Sequence, residues 1–514
     1  MIVGVDVGTS VTKAQLIARD GRTGPAHEAR STLYTLPGNR VEQDMDEVIG
    51  TVVTVVRAAV ADAAQFSPDE PVEALALTGQ GDGLWLRDAD GRPVGRALSW
   101  MDGRAADVLD AWAADGTARE VHRRTGAGMF PGAAGPLLAH LAEHEPERLA
   151  AADVAGYCVD AIAQRFTGAR TVDASDASVP FLDAARRTYD DEALELCGLS
   201  RWRGLLAEPA PPGALFGLLP KVAAELGLPS GLPVSAGPFD IPACGFGSGL
   251  EQVGQGNLII GTTLACQVLS SDPAPGAGDE AAGMVLATPY EDRYLRVMPA
   301  MIGTAGLDWL LGMLGVGIEE LDALLARSPY GAAGVTALPF LSTSGERAPF
   351  VDARARGRLD GLSPLTSRAD LVRALCEAVA YSARHCLETL GVDGAITACG
   401  GGARSGEWGR IFAGVLGRDV HVREDAVGIR GAARVAWRAL GADAAAGSGG
   451  GGGGVAGSGG GGGGVAGSGG GGGGVAGPGG DGSRVARADA EAVAFYEDGY
   501  RRYLDTLETA RRSW

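Results

Sequence analysis

Lysine is almost missing from this sequence. Lys13 and Lys221 are its only lysines, while arginine, alanine and glycine abound; we read this as a bias of composition without functional meaning. Positive charge is scarce overall. Against 63 Asp and Glu stand 44 Lys and Arg, a net charge of −19, which disfavours nonspecific binding to nucleic acid or to an anionic membrane. Cysteine is sparse and unpatterned, seven residues with no Cys-x-x-Cys, so reduced thiols and a cytoplasmic location are expected. No apolar run is long enough to span a bilayer. The start, Met1-Ile-Val-Gly-Val-Asp6, lacks a basic region, so no secretory signal peptide is expected. There is no Gly-x-x-x-x-Gly-Lys-Ser/Thr segment, which excludes a P-loop nucleotidase, and Gly245-Phe-Gly-Ser-Gly249 lacks the full dinucleotide-binding frame.

What is present suits a protein of two or more domains: 514 residues with 46% apolar content. The chain is organised around Gly237-Pro-Phe-Asp240 and the small residues that follow it. A strand ending in Gly-Pro turns sharply, and small residues after Asp240 let a helix or loop pack closely against its neighbours. Such a carboxylate can be tuned as a base; a buried or helix-capping aspartate is the plainer alternative.

Ile2 to Val7 and Val11 to Ile17 flank Gly8-Thr-Ser10 and predict a β-hairpin. Leu258-Ile-Ile-Gly-Thr-Thr263 and Leu264 to Leu269 repeat that plan near mid-chain. Between and beyond lie predicted helices over 46–64 (capped by Asp44 or Asp46), 104–114, 136–143 and 370–390, one starting near Glu407, and a last one over 487–507. Strands are predicted over 72–77, 84–86 and 396–399. The alternation implies an α/β fold built from two related domains that face each other. Residues 447–482 repeat Ser-(Gly)6-Val-Ala-Gly. Polyglycine loses much backbone entropy on ordering and buries little, so a flexible, disordered insertion is expected there.

Three kinds of motif carry chemistry. Asp6-Val-Gly-Thr-Ser-Val-Thr-Lys13 offers hydroxyls and N–H groups to phosphate oxygens, a cation, and a carboxylate able to hold hydrated Mg²⁺. Gly261-Thr-Thr263 is a second such loop, and two opposed loops can clamp a polyphosphate; an ordinary hairpin turn is the alternative for each. Gly400-Gly-Gly-Ala403 after a strand lets a flat ligand lie close to the backbone, or simply makes a tight strand-to-helix turn. Gly79-Gln-Gly-Asp-Gly83 and Trp100-Met-Asp-Gly-Arg104 gather groups suited to a polyhydroxylated ligand, though a polar surface turn also fits. His140-Leu-Ala-Glu-His144 matches a zinc pattern, but the flanking Glu145-Pro-Glu-Arg148 ends the helix at once and no third ligand is evident.

Taken together and in order, these segments, with Gly345-Glu-Arg-Ala-Pro349, Ala355-Arg-Gly357 and Gly400-Gly-Gly-Ala-Arg-Ser405, resemble the FGGY family of carbohydrate kinases through nearly the whole chain. The resemblance implies two actin-like (ribonuclease H-like) domains around a central cleft. Residues 1–245 would bind the sugar or polyol and 246–514 the ATP. It implies Asp240 as general base and acceptor contact, and Asp6 as partner of Mg²⁺. Thr9, Ser10, Lys13, Gly261, Thr262 and Thr263 would lie on the ATP phosphates, and Gly401, Gly402 and Ala403 on its nucleoside. Gln80, Asp82, Trp100, Asp102 and Arg104 would face the acceptor. The segment Gln80-Gly-Asp-Gly-Leu-Trp85 departs from that of xylulokinases and glycerol kinases and is most similar to that of erythritol kinases. The expected reaction is therefore ATP-dependent phosphorylation of erythritol, with a pentulokinase as the alternative in the same class. A non-catalytic actin-like ATPase or sugar sensor is the alternative outside it. No nucleic acid or membrane partner is expected, and a homodimer is compatible with the resemblance.

Overall fold

The computed structural model describes residues 1–274, 280–441 and 483–514. The segment expected to form the flexible insertion, 447–482, lies outside the described residues. The opening strand Ile2–Val7 is buried along its length except at Asp6. It pairs antiparallel with Val11–Ile17, completing the predicted hairpin, and parallel with Ala74–Gly79. A strand covered on both faces reads as a near-continuous apolar run, as this one does. His27–Arg30 extends the sheet on one side. Pro233–Ala236 and Phe216–Gly217 extend it on the other, giving six strands among the described residues.

The second sheet repeats the plan. Gly256–Ile260 pairs antiparallel with Leu264–Ser270 and parallel with Ile396–Cys399. Tyr294–Ala300 and Met284–Ala287 continue it on one side, Val420–Arg423 and Ser483–Ala486 on the other, for seven described strands. Two sheets with the same central arrangement and flanking helices make the two-domain, actin-like α/β fold.

Helices begin where their caps dictate. Asp44 accepts from the Glu47 N–H at 3.1 Å and starts Met45–Ala61. Ser367 and Asp370 form a reciprocal capping box at the start of Arg368–Leu390. The remaining predicted helices are found as Ala106–Asp115, Ala134–His144, Gly406–Leu416 and Ala490–Arg511. His140 and His144 lie ring against ring at 4.3 Å, and among the described residues no group of three or more metal-ligating side chains is assembled. The seven cysteines are free thiols, and no described helix is long and apolar enough to cross a membrane.

Two helices exchange sheets. Asp240–Ser248 follows the first sheet in sequence yet contacts Gly256–Ile260 and Ile396–Cys399 of the second. Val427–Ala439 follows the second sheet yet lays Ile429, Ala432, Ala433, Ala436 and Trp437 against Ile2, Ile17, Ala74 and Ala76 of the first. The two helices cross with backbones almost in contact. A Cβ placed on Gly431 would sit 2.7 Å from the Ala243 carbonyl carbon, and one on Gly247 would sit 2.7 Å from that of Val427.

Candidate active site

The parallel strands of each sheet end side by side, which is where α/β folds place their ligands. Val7 is level with Gly79, and Ala236 with Leu77. Asp6 stands one residue before the end of the central strand. Its carboxylate makes no hydrogen bond or ion pair with any described residue. Burial raises its pKa, and Lys13 across the hairpin partly offsets that rise. Asp240 opens the helix Asp240–Ser248, directly after the cis peptide Gly237-Pro238. Gly237 has φ +119°, and a Cβ there would press on Asp173 at 2.6 Å. The turn is fixed by Thr78, whose hydroxyl donates to the Pro238 carbonyl at 2.7 Å, and by Ser175, which accepts from the Phe239 N–H at 3.3 Å. Pro242 lies in the first helical turn, where no intrahelical N–H is required. Burial pushes the Asp240 carboxyl up to about 7, and the charges of Asp6 and Asp82 add to the effect while the Ile241 N–H opposes it. Two neighbouring carboxylates with no ion-paired cation among the described residues suit a divalent ion, so Asp6 fits a hydrated Mg²⁺.

Facing this pair are the turns of the second sheet. Gly261 donates to the Thr263 carbonyl at 3.1 Å, and the Thr304 N–H, first in the helix Thr304–Leu314, donates to the Gly261 carbonyl at 2.7 Å. Thr262 is exposed and Thr263 half-buried. Gly400 has φ +96°, and a Cβ there would meet the Ile260 carbonyl at 2.6 Å; only glycine sits comfortably in both respects. Gly402 and Ala403 are buried against this turn, whereas Gly401 is exposed with open space where a side chain would be. In the first sheet's hairpin turn, Thr9 is half-buried and Ser10 exposed. Lys13 is exposed and ion-paired with Glu28 at 2.8 Å on the next strand.

The wall beside Asp240 carries Gln80 and Asp82. Gln80 donates to Gln43 Oε1 at 2.9 Å, Gln43 donates to the Thr9 carbonyl at 2.8 Å, and Trp100 Nε1 donates to Thr9 Oγ1 at 2.9 Å. Gln80, Gln43, Trp100 and the Gly8-Thr-Ser10 turn are thus one hydrogen-bonded unit. Asp82 has φ +56°, in the left-handed region that few residues other than glycine, Asn and Asp adopt. Burial pushes that carboxyl up to about 7, opposed by the Arg347 guanidinium. Gln80 Oε1 and Asp82 Oδ1 are buried and unpaired.

Asp102 and Arg104, expected to face the acceptor, are hydrogen-bonded to other groups of the protein. Asp102 spends both oxygens on protein donors, taking the Val41 N–H at 2.7 Å and the Arg104 N–H and Nε at 2.9 Å. Arg104 Nη2 donates onward to Glu42 at 2.6 Å. Asp102, Arg104 and Glu42 thus form one hydrogen-bonded cluster beside the Val41 backbone.

Gly428 and Arg484 have no advance signal in the sequence, whereas Glu346 lies in the segment Gly345-Glu-Arg-Ala-Pro349. Gly428, in the first turn of the crossing helix Val427–Ala439, lies so near Asp6 that a Cβ would be 3.2 Å from Oδ2. Arg484, on the last strand of the second sheet, donates through Nη2 to the Ala403 and Ser405 carbonyls and buttresses the Gly-rich turn. Glu346 is buried and gathers the N–H groups of Met301, Arg347 and Ala348 on one oxygen.

A family model for the N-terminal domain of the FGGY family of carbohydrate kinases matches residues 1–247, and one for the C-terminal domain matches residues 256–440. The chain belongs to the FGGY family of carbohydrate kinases. This FGGY kinase is 32% identical over 461 residues to an erythritol kinase of Brucella abortus (strain 2308), covering 86% of this chain and 88% of that one. It is 30% identical over 446 residues to a xylulose kinase of Escherichia coli (strain K12), covering 85% and 89%. Among solved structures, a ligand-bound xylulose kinase from Lactobacillus acidophilus superposes with a TM-score of 0.84 over 100% of this chain and 99% of that one, at 20% identity. That last likeness speaks for the fold alone. As a family member the chain is a phosphotransferase that acts on a sugar or polyol.

Proposed function

We propose that this FGGY kinase transfers the terminal phosphate of ATP to a hydroxyl of a small polyol, with erythritol as its preferred acceptor. The observation that carries the polyol reading is the pair of buried, unpaired acceptor oxygens, Gln80 Oε1 and Asp82 Oδ1, on the wall beside Asp240. Unpaired buried acceptors are costly until donors reach them, and a tetritol presents a hydroxyl on every carbon and no carbonyl. The 32% identity to an erythritol kinase supports the same choice. A ketopentose is the second reading, favoured by the 30% identity to a xylulose kinase.

In this reading the first half, 1–245, holds the acceptor against Gln80, Asp82 and Trp100, and the second half, 246–514, holds the nucleotide. Asp240 takes the proton of the attacking hydroxyl; its raised pKa keeps it near the operating pH, where a general base works best. Thr9, Ser10, Lys13, Gly261, Thr262 and Thr263 supply donors to the phosphates, with Lys13 leaving Glu28 to do so. Gly401, Gly402 and Ala403 let the nucleoside lie on bare backbone. Asp6 would hold hydrated Mg²⁺, which offsets charge on the phosphates. Phosphoryl transfer passes through a loose transition state in most analyses, so positioning and electrostatics account for nearly all the catalysis asked of these residues. ADP release by the purified protein, measured by a coupled assay over erythritol, other polyols, glycerol, xylulose and ribulose, tests the reading. Erythritol is expected to show the highest kcat/KM; a higher value for a ketopentose or glycerol refutes the choice of acceptor.

A further inference from the structure

The segment Gly345-Glu-Arg-Ala-Pro349 has no part in the roles above, yet the fold holds it with care. Glu346 Oε1 takes the N–H groups of Met301 at 2.9 Å, Arg347 at 2.8 Å and Ala348 at 3.3 Å, which pins the backbone of Arg347. The Arg347 side chain is then aimed twice. Its Nε donates to the Pro299 carbonyl at 2.9 Å, and its guanidinium carbon lies 4.4 Å from the centre of the Phe130 ring. Phe130 belongs to the other half of the molecule. Its loop is the one whose Gly132 carbonyl accepts from the Gly83 N–H at 3.1 Å, directly behind Asp82, and whose Gly132 is pressed against Trp100. Arg347 therefore rests on the back of the acceptor wall while being anchored in the opposite half.

With Nε committed, the two terminal nitrogens of Arg347 have no hydrogen-bond partner among the described residues. Asp82 is in the same position: Oδ1 is buried and unpaired. The two charges lie close enough for Arg347 to pull the Asp82 pKa downward, yet no hydrogen bond or ion pair joins them among the described residues. A guanidinium fork and a carboxylate, each without a hydrogen-bond partner among the described residues and within reach of each other's charge, suit a group able to donate and accept at once.

We propose that Arg347 is a specificity-determining residue that reaches across the cleft and donates to one hydroxyl of the acceptor while Asp82 accepts from the same or a neighbouring hydroxyl. The proposal rests on the polyol kinase reading above and extends it. A hydroxyl suits both ends, because its oxygen accepts from the guanidinium and its proton goes to the carboxylate. The two charges also balance each other, so a neutral polyol is favoured over an aldonate, whose carboxylate would satisfy Arg347 but be repelled by Asp82.

Arg347→Ala and Arg347→Lys test this in the full-length protein. For Arg347→Ala, kcat/KM for the preferred acceptor should fall by about tenfold or more, the rate equivalent of one charge-assisted hydrogen bond. The change should appear in the acceptor KM, with the ATP KM within about threefold of wild type. Arg347→Lys keeps the charge without the fork and should recover part of the loss. Combined with Asp82→Asn, Arg347→Ala should be less than additive, because both act on one bound molecule. Wild-type acceptor kinetics in Arg347→Ala, or in Arg347→Lys should the alanine variant fail to fold, overturn the inference and leave the kinase reading standing. A wild-type protein that phosphorylates nothing in the panel overturns the kinase reading and the inference with it.

Discussion

Replacing Gly431 by alanine tests the helix crossing on which both cleft carboxylates depend. The added Cβ would stand 2.7 Å from the Ala243 carbonyl carbon and 3.0 Å from its Cα. Carbon atoms pack at about 3.5–4.0 Å, so the helices Asp240–Ser248 and Val427–Ala439 must separate by roughly 1 Å. The obstacle is backbone, so no rotamer change relieves it. Overpacking of this kind costs about 1–3 kcal/mol, and each kcal/mol lowers Tm by about 2–4 °C in a domain of this size. The activity loss should be larger than the stability loss suggests. Asp240 lies one helical turn before Ala243, and Gly428, which lies against Asp6, precedes Gly431 by three residues. A shift of about 1 Å in reacting groups can cost on the order of a hundredfold in rate. Differential scanning calorimetry and kcat at saturating substrates measure both effects. Gly50→Ala is the matched control. Gly50 lies in Met45–Ala61 and is exposed, and a Cβ added there would meet nothing within 4 Å. That substitution should raise stability by about 0.5–1 kcal/mol and leave kcat unchanged. Wild-type Tm and kcat in Gly431→Ala would refute the reasoning, because the helices would then be free to separate.

Asp240→Asn should keep ATP and acceptor binding while kcat falls by about 10²–10⁴-fold, read by steady-state kinetics beside acceptor titration calorimetry. The Asp240 carboxyl, pushed up to about 7, is protonated below that pH and cannot take a proton there, so kcat/KM should rise with pH through an acid limb. Because the negative charge of Asp82 contributes to that rise, the limb in Asp82→Asn should move to lower pH; an unmoved or upward-moving limb counts against Asp240 as the titrating base. Arg484→Ala removes donors to the Ala403 and Ser405 carbonyls, and the ATP KM should rise roughly tenfold, about one lost hydrogen bond, with the acceptor KM unchanged.

Much of this arrangement is legible in the sequence because it is local. Ile2 to Val7 and Leu258 to Ile260 announce strands by their apolar runs, and the glycine turns after them leave no other continuation. The small residues after Asp240 announce a close neighbour, which proves to be Val427–Ala439. The sequence does not say which helix that neighbour is, since Gly431 sits in a stretch with no turn signal. The pairing of Asp102 with Arg104 is hidden for a different reason. The residue types at Trp100-Met-Asp-Gly-Arg104 suit a polar ligand, but composition does not reveal that the carboxylate folds back on its own guanidinium and on Val41. Arg484 enters the second sheet only after the Gly-rich segment, so its contact with the Gly-rich turn is set by strand order. Arg347 lies in a recognisable motif whose partners, Phe130 and Asp82, come from the other half of the molecule and share no local pattern with it.

The exchanged helices also decide which perturbations alter turnover and which alter affinity. Asp6 stands on the first sheet, and Asp240 opens a helix wedged between the first sheet's turn and the crossing. The crossing partner of that helix lies against Asp6 at Gly428. These three positions are tied to one another by the close packing at the crossing. In the proposed reading Asp240 and Asp6 stand beside the crossing, Thr9, Lys13, Gln80 and Asp82 belong to the same half as Asp6, and Thr262, Gly401 and Arg347 come from the other half. Substitutions at the crossing should act mainly on kcat, and those at Arg347 or Arg484 mainly on KM. A Gly431→Ala variant altered only in KM would refute this division.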